Sequence, residues 1–553
     1  MGNPISPTGD VSKTSKGLPI ETQFKLPSPL PSWPPGEGFA SGTIDLGGLQ
    51  VRQISTFSKV WATHEGGPDN LGASFFEPSQ IPTGFFTLGC YSQANNRLLH
   101  GWVLVAKDKE GSATLEKPID YTLVWSSESL KISQDGIGYI WLPTPPDGYR
   151  AVGHVVTTSS EKPSPERVRC IRSDLIEHCD IESWIWGPGK ESDPNGFNIF
   201  SLTPSNRGIQ AMGVPTGTFL ARNGAGSISL VCLKNLGSNI SCMPNPSQIQ
   251  ALFQTYSPWI YLHPDEQYLP SSVSWYFVNG ALLYTKGQES NPIPIEAGGS
   301  NLPQGGSNDD AFWIDLPVDE GSKERVKKGD LNDSEVYLQV KPMLGATFTD
   351  IAIWIFYPFN GPAKAKASFI NIPLGRIGEH VGDWEHLTLR VSNFTGELWS
   401  LYFSQHSGGD WIEAQDLEFQ DGNKPVTYAS LHGHAMYSKP GLVLQGSGGF
   451  GIRNDTAKSK LVMDTGARFS IVAAEYLGKT ISEPSWLNYY RKWGPKISYD
   501  IAHELKDIEK ILPGKLKSTF EKFVKRLPSE VLGEDGPTGP KLKRSWDGDE
   551  VVA

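Results

Sequence analysis

Residues 378–386, GEHVGDWEH, place two acids and two histidines (His380, Asp383, Glu385 and His386) within seven positions of a 553-residue chain. Carboxylate and imidazole groups at that spacing can ligate a divalent cation (Mg, Ca, Mn or Zn) or act as a general acid and base. Five of the eleven histidines, His380, His386, His406, His432 and His434, fall between 380 and 434. If 383–391 is extended, Asp383 and Glu385 share the face of Leu387, Leu389 and Val391, and His386 points the other way. Two carboxylates on a core face need a cation or hydrogen-bond donors, because burying them unpaired is costly. His380, on the preceding loop, is placed to fold over and join them. In SLHGHAMY, His432 and His434 share a strand face, with Gly433 between them allowing close approach. Two readings stand side by side: a metal site, or a hydrogen-bonded Asp/Glu/His network that satisfies the strand ends. A hydrolytic version would use His386 or His432 as general base beside the metal. The chain has no G-x-S-x-G or Walker sequence to supply a nucleophile or a phosphate loop.

The elements that must position these residues read as mainly β. From 333 the apolar runs SEVYLQVKPML, TDIAIWIFYPF, WEHLTLRV, GELWSLYFSQHS and RFSIVAAEYLG predict strands, and 246–495 reads as a β-sandwich domain. Short helices follow over 496–530, where SYDIAHELKDIEKIL and KLKSTFEKFVKRL are separated by Pro513-Gly514. The polar tail 531–553 is predicted to be disordered. Upstream, residues 1–37 form a proline-rich entry with no periodicity. Residues 38–245 repeat three times. FFEPSQIPTGFFTLG (75–89), YIWLPTPPDGYRAVG (139–153) and NIFSLTPSNRGIQAMG (198–213) share aromatics, a proline and closing glycines at Gly89, Gly153 and Gly213. Trp61 and Trp125 each precede the closing glycine by 28 residues, and Trp184 and Trp186 bracket the third place. Three copies of a β-unit predict a three-fold β-prism, with a β-trefoil as the alternative.

Composition narrows the function classes. A net charge of −11, from 49 basic and 60 acidic residues, argues against a nucleic-acid binder that works by neutralising phosphates. The five cysteines include no C-x-x-C pair, which fits a reducing compartment better than a disulfide framework. The N-terminal MGNPIS matches the N-myristoylation pattern at Gly2 and lacks the apolar core of a secretory signal. One myristoyl chain would give weak, reversible anchoring. These features predict a cytoplasmic protein, peripheral on endomembranes or the plasma membrane and not secreted.

The segments GFFTLG, VGDWEHLTLRVSNFTGELWSLYFSQHSGGDW, YASLHGHAMYSKPG and GIRNDTAKSK resemble the plant homologues of vacuolar protein sorting-associated protein 62. That resemblance implies a role at endomembranes. More narrowly, IWIFYPFNGP…GEHVGDWEH followed by YASLHGHAMY is similar to the core of the necrosis- and ethylene-inducing-peptide-like cytolysins. It implies a β-sandwich with a cation at a lipid-headgroup face, where His380, Asp383 and Glu385 would be ligands and Asn360 would stand near an expected aspartate. Gly382 stands where that family has a second histidine, and an asparagine in place of an aspartate removes one charge. His386, His406, His432, His434 and Trp384 would surround the ligand set. The expected function is a trafficking-associated binding protein that recognises lipid headgroups, glycans or a sorting partner with cation assistance. The alternatives are a metal-dependent hydrolase on the same cluster and a cytolysin-like membrane-perturbing protein.

Overall fold

The computed structural model describes residues 20–552 apart from 238–239, 368–369, 407, 448–449, 497–499, 512–513, 515–516, 519 and 521–535. Gly2 and most of the second predicted C-terminal helix therefore lie outside the described residues; the first is a helix over Ile501–Ile511.

The N-terminal repeats build three antiparallel three-stranded sheets of like design. They are Phe57–Ala62, Ala73–Pro78 and Tyr91–Ala94; Asp120–Ser126, Tyr139–Thr144 and Val155–Thr157; and Cys179–Trp186, Phe197–Pro204 and Phe219–Asn223. In each sheet the pairing is irregular beside the repeat tryptophan, where Trp61 faces Phe75, Trp125 faces Ile140 and Trp186 faces Ile199. These bulges turn the indoles towards one another. Their ring centroids are 6.0, 6.2 and 5.7 Å apart; Trp61 and Trp186 are buried with Phe75 and Phe197, and half-buried Trp125 packs against them. Three sheets around a shared aromatic centre, with a second set of three short sheets from the same repeats, match the prism.

One detail of the repeat differs from the sequence reading. Gly213 belongs to the strand Gly213–Val214, the counterpart of Phe86–Thr87 and Tyr149–Arg150. By strand register the residue equivalent to Gly89 and Gly153 is Thr218, three residues before Ala221 as they are three before Ser92 and Val156. At the close approach, a Cβ on Gly153 would meet Thr218 Cγ2 at 2.7 Å and Gly89 Cα at 2.8 Å, so two backbones and one threonine methyl fill the junction.

The sandwich rests on a six-stranded sheet, numbered here β1 (Val336–Met343), β2 (Phe348–Asn360), β3 (His380–Ser392), β4 (Leu398–Gln405), β5 (Gly408–Glu413) and β6 (Phe469–Ala473). Its order is β5-β4-β3-β2-β1-β6, antiparallel except for β1 with β6. All thirteen residues of β2 are buried because both faces of the sheet are covered, which explains its unbroken apolar run. Ile351, Ile353 and Ile355 pack with Leu387, Leu389 and Val391 against Ile260, Met436, Met463 and the helix Pro246–Tyr256. Ala352, Trp354 and Phe356 pack on the opposite side with Trp384, Trp486, Trp493 and Trp546.

Trp546 comes from the stretch whose composition predicts a disordered tail. Residues 536–552 instead lie across this second face. Gln339 Nε2 donates to Trp546 O at 2.7 Å, Lys341 Nζ to Ser545 O at 2.7 Å and the Tyr402 hydroxyl to Val551 O at 2.6 Å. Arg390 bridges Asp350 at 2.8 Å and Asp549 at 2.7 Å. The tail is polar because its receptor is polar: charged groups on a sheet face select charged partners, and composition alone does not show the receptor.

Candidate functional site

The alternation expected for β3 holds through its apolar half and is broken near its start by Gly382. Its φ of 67° is a left-handed conformation that glycine adopts without penalty. Val381 consequently packs into the second core with Trp384, although an unbroken strand would put these two residues on opposite faces. The same break brings His380 round to the side of Asp383. A side chain at 382 would also strike Trp493 O, at 2.4 Å from an added Cβ. His380 is thus the first residue of β3, paired in register with Asn360 of β2, and not part of a loop.

Asp383 and Glu385 are buried, at 8% and 9% exposure, and face a cavity of about 430 Å³ at the open end of the sheet. His380 and Asn360 line the same cavity, as do Trp384, His386 and His406. Asp383, Glu385, His380 and Asn360 each have a defined partner. Asp383 Oδ2 lies 2.9 Å from His434 Nδ1, and the Ser404 hydroxyl donates to Glu385 Oε2 at 2.6 Å. His380 Nδ1 lies 3.0 Å from Gly382 O, so that nitrogen carries the proton and Nε2 is left as an acceptor. The Asn360 amide gives both protons to carbonyls, Gly378 O at 2.8 Å and Gly361 O at 3.0 Å. Burial pushes the Asp383 carboxyl up, but the His434 bond and the charges of His380 and Lys543 outweigh it and hold it below the usual range. Burial lowers the His380 imidazole, partly offset by Asp383.

The two later histidines do not share a strand face. The strand Lys424–Ala429 ends before them, and 430–435 is a turn in which Ser430 and His434 donate backbone N–H groups to Ala435 O and Ser430 O. Both histidines take positive φ, 67° and 53°, so their side chains diverge. His434 is fully buried, stacks on Tyr357 with centroids 3.8 Å apart, and places Nε2 3.1 Å from Tyr268 O. His432 turns its ring towards Pro362 O at 3.3 Å, and its backbone N–H donates to Glu266 Oε2 at 2.6 Å. His386 lies on the other face of β3, stacked on Trp354 with its Nε2 2.9 Å from Glu550 Oε2. His406, on the turn after β4, bonds Asn454 Oδ1 at 3.1 Å.

Sequence reasoning missed Glu266, Tyr357, Ser404, Lys543 and Glu550. Glu266 fixes the histidine turn by accepting three backbone N–H groups, from Gln267, Tyr268 and His432. Tyr357 was findable, because register places it opposite Asp383. Its hydroxyl is buried beside the carboxylates without a hydrogen-bond partner among the described residues, and burial keeps it a neutral phenol. Lys543, Arg544 and Glu550 come from the C-terminal stretch and line the cavity with Arg453, so bases as well as acids border it.

The donor chemistry suits an open cation site: two carboxylates, an amide oxygen and an imidazole nitrogen. Among the described residues no three His, Cys, Asp or Glu side chains converge closely enough to hold a metal unaided.

Vacuolar protein sorting-associated protein 62 of Saccharomyces cerevisiae is 33% identical over 104 residues, which are 16% of this chain and 21% of that protein. The chain thus spans about a fifth of that relative's length. Among solved structures, GNIP1Aa from Chromobacterium piscinae matches at 17% identity and a TM-score of 0.28, over 38% of this chain and 40% of that one. A complex of NLPPya with glucosamine matches at 15% identity and a TM-score of 0.21, over 35% and 70%. Likenesses at these scores carry no functional argument. The family profile of vacuolar protein sorting-associated protein 62 matches residues 20–550, nearly the whole sequence, and the chain belongs to that family.

Proposed function

We propose that the protein is a sorting-associated, peripheral membrane-binding protein whose sandwich cavity captures an anionic headgroup or glycan with the help of a divalent cation. The observation that carries this reading is the mixed charge of the cavity lining: Asp383 and Glu385 with His380 and Asn360, and the bases Lys543, Arg453 and Arg544. Bound there, the cation would link the carboxylates to a ligand's phosphate or hydroxyl oxygens. Asp383, Glu385, Asn360 and His380 would hold it, while the bases would neutralise the remaining ligand charge. The family's link to vacuolar sorting and the Gly2 acylation pattern support a place at endomembranes. No helix of the described residues is long and apolar enough to cross a membrane. A hydrolytic role has less support, because His386 is engaged by Glu550 and the His432 ring faces a backbone carbonyl.

Titration of chelator-treated protein with Mg, Ca and Mn by calorimetry tests the reading. One cation is expected to bind per chain, and Asp383→Asn and Glu385→Gln are each expected to weaken it at least tenfold, the effect of removing one charge from a hard-ion site. Uptake that is absent, or unchanged in both variants, sinks the cation reading.

A further inference from the structure

A second sheet beside the cavity contains an unusual edge. Its four strands run in the order Ile370–Pro373, Lys364–Ala367, Phe450–Thr456, Gly441–Ser447. Among the described residues the last strand is paired on one side only, and residues 441–446 are all exposed. Leu442, Val443 and Leu444 follow one another there at 37%, 39% and 39% exposure. Successive side chains of a strand point to opposite faces, so apolar surface is presented on both sides at once. Natural sheets guard such edges with charge, proline or a bulge, and this one has none of these within GLVLQGS.

The surroundings have a sign. The four strand sequences INIP, KAKA, FGIRNDT and GLVLQGS contain three bases, Lys364, Lys366 and Arg453, against one acid, Asp455. That acid is paired with Arg453 at 2.6 Å, and exposed Lys439 sits just before the edge strand. A basic patch on a chain of net charge −11 is a local feature, not a reflection of composition. The edge is also continuous with the cavity, because Ile452, Arg453 and Asn454 of the adjoining strand form part of the cavity wall.

We propose that the Gly441–Ser447 edge docks on an anionic lipid surface, with Leu442, Val443 and Leu444 lodged in the interfacial layer and Lys364, Lys366 and Lys439 drawn to the headgroups. This rests on the membrane-associated reading above and names the surface that makes the contact. A protein partner laid on one face would leave the apolar residues of the other in water, whereas lipid surrounds both. Insertion is shallow, because the free N–H and C=O groups of the edge need hydrogen-bond partners that hydrocarbon lacks and the headgroup layer supplies. Docked this way, the edge brings the cavity mouth against the headgroups that the cation site would bind.

The test is co-sedimentation of the full chain with vesicles of phosphatidylcholine alone and with added phosphatidylserine, at constant ionic strength. Leu442→Ser/Leu444→Ser is expected to weaken binding to phosphatidylserine vesicles at least tenfold, and Lys439→Gln about fivefold, without altering the thermal midpoint. The serine variant is expected to take up Mg or Ca like the parent. Parent and variant binding vesicles equally, or neither binding them, overturns the proposal. A parent that self-associates where the variant is monomeric overturns it too, since the edge would then pair with a second copy. Loss of cation uptake with edge-dependent vesicle binding intact would remove the cavity reading and leave this one standing.

Discussion

Glu550→Gln should release the C-terminal stretch from the sandwich, and the size of the effect follows from the geometry. The Glu550 side chain is 1% exposed; Oε2 lies 2.9 Å from His386 Nε2, while Oε1 accepts from the Thr388 hydroxyl at 2.6 Å and lies 3.8 Å from Lys341 Nζ. Burial pushes this carboxyl up, but His386, Lys341 and Thr388 more than compensate and hold it at about 2, against an ordinary 4.5. A depression of that size corresponds to roughly 3 kcal/mol in favour of the docked, ionised form. Because the docked value lies below the undocked one, the stabilisation is fully present above pH 4.5 and is lost as pH falls from 4.5 towards 2. At neutral pH the glutamine variant forfeits it and leaves Lys341 and His386 buried without a carboxylate, although Ser545 O still accepts from Lys341.

Roughly 3 kcal/mol is a factor of about 150 in the docking equilibrium. Hydrogen exchange read by mass spectrometry on peptides from 540–551 measures it directly, with β2 peptides as the internal control. Protection of the C-terminal peptides should fall by about that factor in the variant and stay constant in β2. In the parent, once corrected for the intrinsic pH dependence of exchange, it should decay between pH 4.5 and 2; in the variant it should be flat there. Variant protection within about threefold of the parent at neutral pH would refute the reasoning, because the tail would then be held by Trp546 and backbone contacts alone. The outcome matters for the cavity, since Lys543 and Arg544, two of the three bases that line it, ride on this stretch.

The prism gives two further tests by chemical denaturation. Trp61→Ala empties the meeting point of three indoles and should cost about 3–5 kcal/mol, with a parallel loss of near-ultraviolet dichroism from Trp125 and Trp186. Gly153→Ala adds a methyl 2.7 Å from Thr218 Cγ2 and 2.8 Å from Gly89 Cα and should cost about 1–3 kcal/mol, with Thr218→Ser recovering part of it.

What the sequence disclosed follows from which interactions are local. The three-fold repeat was legible because each copy carries its own tryptophan and strand pattern, and the fold simply brings the copies together. Leu387, Leu389 and Val391 disclosed the face of Asp383 and Glu385, since the period of two needs no knowledge of the partner sheet. The failures share a cause: each depends on a residue that breaks a period or on a partner far along the chain. Gly382 reads as a lost histidine in the resemblance, yet its positive φ is what carries His380 to Asp383's side. His432 and His434 obey alternation only if the strand continues past Ala429, and Glu266, 166 residues away from His432, holds the turn that ends it. The C-terminal stretch looks unstructured by composition because the test counts apolar residues, and the sheet face that receives it is built from Lys341, His386 and Arg390. The cavity is legible in sequence only where its lining is one strand. Its chemistry depends on the bases as well, and bases supplied from the far end of the chain can be seen only in the folded molecule.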